Sequence, residues 1–62
     1  MNNPVTFSTV VAETHEQFEV LELDLIRQGF RLFLIEGRRM KYDLWEGARQ
    51  HRVDIFMKFW EI

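Results

Sequence analysis

Hydrophobic and polar positions change their spacing along this chain, from a period of two to a helical period and back again. Near the start, Val5, Phe7 and Val11 alternate with Thr6 and Ser8, which is typical of a β-strand whose two faces differ. The following residues are spaced as in a helix, and the rest of the chain returns to strand-like runs separated by glycines. The pattern predicts one helix among several strands.

Both ends of the helix, predicted at residues 15–28, carry recognisable signals. Thr14 and Gln17 have the T-x-x-Q spacing of a capping box, in which the two side chains satisfy amides of the first turn. Gly29 fits the left-handed position that ends a helix, and Phe30 follows as the hydrophobic residue of a Schellman motif. These signals are local and define the helix independently of the strands around it.

One side of this helix is predicted to pack on a sheet. At about 100° per residue, Phe18, Leu21 and Leu25 fall on one stripe, the arrangement of an amphipathic helix. Val20 and Leu23 fall on the opposite side. We interpret them as two separate exposed residues rather than as a second apolar strip, because single apolar side chains are common on protein surfaces.

Three more strands are predicted after the helix, at residues 31–36, 39–46 and 52–61. Gly37 begins a two-residue hairpin turn, since a type II′ turn requires glycine at its first position. The segment 47–50 is interpreted as a four-residue loop. The last strand reaches the end of the printed chain, so we expect its open edge to be available to a strand of another chain.

The lengths of the two turns set the predicted strand registers. The first hairpin places Phe33 opposite Tyr42, and the second places Ile55 opposite Tyr42. Both registers put Met40 and Leu44 on the same inner face as Tyr42. A slip by one residue would move every side chain to the other face, so this agreement supports three consecutive antiparallel strands.

Together these elements predict an α+β fold, a single β-α-β-β-β domain in which one helix packs on one face of a mostly antiparallel four-stranded sheet. The first strand, about residues 5–11, would run parallel to the second if the two pair, and its position in the sheet is not determined. Residues 1–62 make one domain at most, and Met1 favours a whole protein.

A chain of 62 residues without cysteine needs a source of stability other than disulfides. A domain of this size buries only about 60% of the surface that its unfolded chain exposes. Unusually good packing or self-association is therefore expected.

The sheet face away from the helix is predicted to be rich in apolar and basic side chains. Its predicted apolar members are Leu32, Leu34, Trp45, Phe56 and Trp60. The basic residues among them are Arg39, Lys41, Arg52 and Lys58. Aromatic and arginine side chains are enriched in protein interfaces and dominate their binding energy. The sequence therefore predicts a non-enzymatic protein-interaction surface whose partner is a second copy, as in a homodimer, or a larger protein.

The same surface fits a second interpretation, a platform for single-stranded nucleic acid. The rings would stack on bases while the basic side chains neutralise phosphates. The RNA-recognition signature is absent, because Gly37 is followed by Arg38 where that signature has an aromatic residue. A formal net charge of -2 also argues against non-specific attraction to nucleic acid. We keep nucleic-acid binding as the alternative.

The sequence shows no pattern for a catalytic, cofactor or metal site. His15 and Glu19 lie one helical turn apart, which is too few ligands for a metal, and His51 is predicted to lie in a turn. Asp43 and Asp54 would face each other in the predicted register, where they could share a proton or hold a hard cation. We interpret them instead as a solvated pair relieved by Lys41 and Arg52, because no further oxygen ligands are implied. No nucleophile, base and orienting group can be assembled from the sequence, so an enzyme is not expected.

Acidic residues recur every three positions where the helix begins, at Glu13, Glu16, Glu19 and Glu22. Such a row could mimic phosphates, but three residues fall short of a turn of about 3.6, so the carboxylates wind around the helix. Carboxylates are favoured near a helix N-terminus in any case. We interpret them as a solvated helix start, with phosphate mimicry as a minor alternative.

Composition and the first residues indicate a folded domain and its cellular location. The chain is 47% hydrophobic and 29% charged, which is typical of a folded domain, and it contains no apolar run near the roughly 18 residues that span a membrane. Its start lacks the features of a signal peptide, so we expect a cytoplasmic location and no membrane partner. The small size also fits a bacterial or phage accessory or inhibitor protein.

Overall fold

The helix begins where the capping signal places it. In the computed structural model, which describes residues 5–60, α1 spans His15–Gln28. The Gln17 amide donates to Thr14 Oγ1 over 3.1 Å, and the Glu13 amide donates to Gln17 Oε1 over 2.7 Å. The amides at a helix start have no partner within the helix, so these two bonds stabilise the first turn.

The helix ends in the predicted Schellman motif. Gly29 has φ of 100°, a left-handed conformation that favours glycine, and its amide donates to the Ile26 carbonyl over 3.0 Å. The Phe30 amide donates to the Leu25 carbonyl over 2.9 Å. A Cβ atom on residue 29 would lie 3.3 Å from Leu44 Cδ1, so close packing adds to the requirement for glycine. The predicted helix boundaries are confirmed.

Four strands form one mixed sheet, and the α+β fold is confirmed. The strands are β1 (Val5–Ala12), β2 (Arg31–Glu36), β3 (Arg39–Glu46) and β4 (Arg49–Met57). Their order in the sheet is β1-β4-β3-β2, with β1 parallel to β4 and the other pairs antiparallel. The first strand therefore pairs with the last strand instead of the second. The expectation of an open edge on the last strand is wrong, because β4 lies inside the sheet and the edges are β1 and β2.

The second hairpin has a two-residue turn at Gly47 and Ala48 in place of the predicted four-residue loop. Gly47 has φ of 58°, and the flanking Glu46 and Arg49 pair with each other, so the ladder closes two residues earlier than predicted. The register moves by two residues. Each residue of β3 keeps its predicted face, because side chains alternate with a period of two.

Strand pairs across this hairpin change with the register. Tyr42 faces Val53 instead of Ile55. Asp43 faces Arg52, so the predicted pairing of Asp43 with Asp54 is wrong. Each of the two carboxylates lies opposite a basic residue instead.

A β-bulge in β2 alters the first hairpin. Leu34 lies opposite Lys41 and Leu32 lies opposite Tyr42, which leaves Phe33 as the extra residue. The predicted pairing of Phe33 with Tyr42 is therefore wrong. Cross-strand partners share a face, so Leu32 lies on the helix side of the sheet and not on the opposite face as predicted.

The last strand is shorter than predicted and the first is longer by one residue. β1 extends to Ala12, the partner of Met57, and β4 ends at Met57 because neither neighbouring strand continues beyond this level. The Lys58 amide donates to the Ala12 carbonyl over 3.0 Å, and the Trp60 amide donates to the Met57 carbonyl over 3.3 Å as the chain turns. Lys58 and Trp60 thus follow the strand. The predicted strand end at residue 61 lies outside the described residues.

The helix packs over β1 and β4. The buried apolar residues of this core are Ala12, Leu25, Phe30, Tyr42 and Ile55. Phe18 and Leu21 pack against them beside Leu25, which confirms the predicted helix stripe. Within residues 5–60, no helix is long and apolar enough to cross a membrane.

One polar link joins the helix to β3. The Tyr42 side chain is buried, and its hydroxyl donates to Glu22 Oε2 over 2.5 Å. Burial, together with the hydrogen bond to the carboxylate, raises the pKa of the Tyr42 hydroxyl far above its usual value. This acid of the predicted solvated helix start therefore has a structural partner that sequence reasoning missed.

Candidate protein-interaction surface

The face of the sheet opposite the helix, called the outer face here, carries apolar side chains from all four strands. Strand register places on it Val5, Phe7 and Val11 of β1, Leu34 of β2, Trp45 of β3, and Phe56 of β4. The bulged Phe33 joins them through its contact with Arg52. All of these except Phe56 are exposed, and Phe7 and Trp45 are exposed by 60% and 55%. An apolar area that reaches across four strands is the kind of surface that binds another molecule.

The contribution of β1 to this face was not predicted. Phe7 lies beside Arg52 and Val11 lies beside Phe56, so the odd-numbered residues of β1 lie on the outer face. The even-numbered residues Val10 and Ala12 pack into the core instead. The alternation of β1 is visible in the sequence, but no signal within the strand indicates which of its two faces the helix covers.

Asp54 is the buried polar residue of the outer face, with 4% of its surface exposed. Its carboxylate Oδ2 lies 3.6 Å from Nη1 of Arg39. The guanidinium carbon of Arg39 lies 5.2 Å from the centre of the Phe56 ring, a cation–π contact with its direct cross-strand partner. Arg39 thus covers both the carboxylate and one side of the ring.

Two other basic residues of the outer face also contact neighbours. Lys41 Nζ lies 3.3 Å from Glu36 Oε1. The guanidinium carbon of Arg52 lies 5.1 Å from the centre of the Phe33 ring. Arg39 and Lys41 thus each have a carboxylate within 4 Å, which lowers the cost of desolvating these two charges if a partner covers the face.

Most of the predicted interface residues come together on the outer face. They are Leu34, Trp45, Phe56, Arg39, Lys41 and Arg52. Leu32 does not join them, because the bulge turns it to the helix side. Lys58 and Trp60 lie beyond the end of β4, where Lys58 Nζ is 3.5 Å from Glu13 Oε2 and Trp60 is partly exposed.

A second cluster, on the helix side of the sheet, links three strands through His51. Thr6 Oγ1 lies 2.8 Å from His51 Nδ1, and His51 Nε2 lies 2.8 Å from Glu46 Oε1. The prediction that His51 lies in a turn is wrong, because the shorter hairpin turn places it inside β4. The order hydroxyl, imidazole and carboxylate occurs in nucleophilic catalysis. The three side chains come from β1, β4 and β3 and bond to one another across the sheet, so we interpret the cluster as a cross-strand clasp.

Other acidic residues near the helix start also have neighbours. Glu19 Oε1 lies 3.2 Å from His15 Nδ1, and the His15 ring packs edge-on against Phe59 with 5.5 Å between ring centres. Among residues 5–60, no group of three or more His, Cys, Asp or Glu side chains is arranged to hold a metal. Glu13, Glu19 and Glu22 each contact a neighbouring side chain, which favours a structural role over phosphate mimicry.

Comparison with protein-family models, curated proteins and solved structures finds no match to this chain. What the outer face does is therefore inferred from its residues and their contacts.

Proposed function

We propose that this protein is a non-enzymatic interaction module that docks a protein through its outer face, with a second copy or a larger protein as the partner. The observation that carries the proposal is the exposed apolar area that runs from Phe7 on β1 to Phe33 and Leu34 on β2, on a face that the helix leaves uncovered. Large exposed apolar patches of this kind mark sites where proteins bind other molecules.

The size of the face supports this proposal. Strands of eight residues are about 26 Å long, and four strands are about 19 Å wide, which gives roughly 500 Å² of flat area. Covering such an area would bury roughly 1,000 Å² on the two partners together, near the lower limit for a specific interface. The proposed interface is therefore small, and its energy depends on a few large side chains.

Trp45 is the largest exposed side chain of the face and the one expected to contribute most. Burying about 100 Å² of its ring would contribute on the order of 2 kcal/mol. A change of that size corresponds to about 30-fold in a dissociation constant.

Sedimentation equilibrium from about 1 μM to 1 mM tests the proposal by comparing the wild type with Trp45→Ala. Self-association through the outer face predicts a dissociation constant about 30-fold higher for Trp45→Ala. The matched control is Ile26→Ala, which truncates an exposed apolar residue of α1 and should leave association unchanged.

A monomeric wild type would direct the test to a different partner. The wild type and Trp45→Ala would then be used as paired baits in a cell extract. The proposal predicts a protein that the wild type retains and Trp45→Ala does not. Equal retention by both baits, in a protein that does not self-associate, would contradict the proposed role of the outer face.

We do not extend the proposal to single-stranded nucleic acid. Stacking on bases requires free ring faces, whereas Phe33 and Phe56 each have a guanidinium on one side. A titration with oligonucleotides at low salt, followed by tryptophan fluorescence, would show quenching if this alternative holds. We further propose a cytoplasmic location and a role as a bacterial or phage accessory protein, for which cell fractionation is the first check.

A further inference from the structure

The two edges of the sheet differ in how well they are protected from pairing with another strand. β2 begins with Arg31, ends with Glu36 and is bulged at Phe33. Charges and bulges are two of the devices by which natural proteins block an edge strand. The edge at β2 is therefore protected.

β1 has none of these devices. Its eight residues, Val5–Ala12, contain no charge and no proline, and they pair with β4 without a register shift. Among residues 5–60 no strand lies beyond it in the sheet. A long, regular and uncharged edge presents a row of backbone amides and carbonyls to any strand that fits beside it.

A groove opens near the C-terminal end of this edge, where β1 approaches the first turns of the helix. It has a volume of about 580 Å³ and is lined by Val11 together with Thr14, Gln17, Val20 and Leu21. Val20, at 64% exposed, is the most exposed large apolar residue among those described. A strand added along β1 would pass this groove where it reaches Val11.

We propose that β1 pairs antiparallel with β1 of a second copy across a two-fold axis, which joins the two sheets into one of eight strands. This inference concerns the sheet edge and does not depend on the outer face being a docking surface. In a two-fold arrangement each residue of β1 has a partner from the same strand, so the fit of β1 to itself can be judged from its own sequence.

The faces of β1 match in such a pair. With the axis at Ser8, Phe7 lies opposite the partner's Thr9, and Val5 lies opposite the partner's Val11. Residues of the outer face thus meet residues of the outer face, as an antiparallel pair requires. Because β1 carries no charge, the two copies bring no like charges together along the strand pair.

The helices add charge complementarity beside the strands. Glu16, Val20 and Arg27 share one side of α1 by helical spacing, and Glu16 and Val20 line the groove. Two helices lying over their own β1 and β4 would be roughly 10 to 15 Å apart across the axis, close to the distance of packed helices. They would run antiparallel, which brings the Glu16 end of each helix towards the Arg27 end of the partner helix.

Hydrogen exchange measured residue by residue with NMR tests the pairing directly in the wild type. Alternate amides of β1 point to β4 and to the free edge, so the free set exchanges fast in a monomer. The proposal predicts that these free-edge amides are protected from exchange at a protein concentration of about 1 mM and unprotected at about 10 μM. A chain that stays monomeric throughout, or a dimer in which the free set exchanges fast, would overturn it.

A matched set of variants locates the interface independently. Ser8→Lys places a charge on the helix side of the β1 edge, directly opposite its symmetry mate, and should raise the dissociation constant about tenfold or more. Ser8→Thr keeps the edge uncharged and should preserve the dimer, and Ile35→Lys places the same charge on the helix side of the β2 edge and should also preserve it. Equal weakening by Ser8→Lys and Ile35→Lys would overturn the β1 pairing.

The two proposals fail in distinguishable ways. If the outer face self-associates, Trp45→Ala weakens association while the free β1 amides exchange fast at every concentration. If β1 pairs with itself, those amides gain protection with concentration in both the wild type and Trp45→Ala.

Discussion

The two faces of the sheet both carry large apolar side chains, but they differ in what covers them. On the helix side, Tyr42 and Ile55 are almost fully buried, whereas on the outer face Phe7 and Trp45 are more than half exposed. The helix of 14 residues is about 21 Å long and covers one face alone. Among residues 5–60, one helix therefore covers one of two apolar faces, and our proposal is that a partner covers the second.

The faces also differ in how they hold polar groups. On the helix side, the hydroxyl of Tyr42 is buried and donates to Glu22. On the outer face, Arg39 covers Asp54 from the solvent side while packing on an aromatic ring. The first arrangement joins the helix to the sheet, and the second shields a buried carboxylate on the face opposite the helix.

The comparison is tested most strongly by truncating one apolar residue on each face. Ile55→Ala removes fully buried methyl groups and should lower the free energy of unfolding by about 2 to 5 kcal/mol. Phe7→Ala removes an exposed ring and should change the stability of the monomer by about 1 kcal/mol or less. Urea denaturation at a concentration where the protein is monomeric measures both. Similar losses would mean that the outer face also belongs to the core of the monomer.

A smaller effect is expected for the polar link on the helix side. Tyr42→Phe leaves the partly buried Glu22 carboxylate without its donor and should cost about 1 to 2 kcal/mol near neutral pH. Glu22→Gln is the control, since an amide oxygen can still accept from the hydroxyl.

The pH dependence of the same link has a defined sign. Folding raises the pKa of Tyr42, first through burial and then through Glu22, so the stabilisation is complete below the unfolded-state value near 10 and is lost as the pH rises above it. As the pH rises from about 8 to 11, the midpoint temperature of thermal unfolding should therefore fall more steeply for the wild type than for Tyr42→Phe. Parallel curves for the two proteins would show that Tyr42 does not carry this dependence.

The smallest effect is expected for the charged pair of the outer face. Asp54→Asn removes the carboxylate charge beside Arg39 and should cost about 1 kcal/mol, because Arg39 is partly exposed and its attraction is screened by solvent. Denaturation at low and high salt is the measurement, and Asp43→Asn, a substitution on a less buried residue of the same face, is the control. A loss near that of Ile55→Ala would place Asp54 in the core instead of on a docking surface.

The helix boundaries were predictable because their causes lie within a few residues. Thr14 and Gln17 cap the first turn, and Gly29 takes the left-handed conformation that ends the last. The inner face of β3 was also predictable. The register error was two residues, and alternation with a period of two keeps Tyr42 on the same side after such a shift.

The errors in the candidate surface have longer-range causes. The sequence of residues 47–50 is compatible with a hairpin turn of two or of four residues. Pairing of Glu46 with Arg49 makes the turn two residues long. The bulge at Phe33 has no local signal, and it moved Leu32 to the other face. Trp60 left the outer face because β4 ends where its neighbouring strands end.

The sequence by itself determined the elements of this protein, their approximate bounds and the presence of apolar residues on both sides of its strands, because caps, turns and alternation act over a few residues. The tertiary structure alone decided that β1 joins β4, which makes β1 an edge and turns Phe7 and Val11 to the outer face. Strand order depends on which surfaces bury each other most effectively. The strand order is therefore a property of the whole chain, and it cannot be read from any single segment.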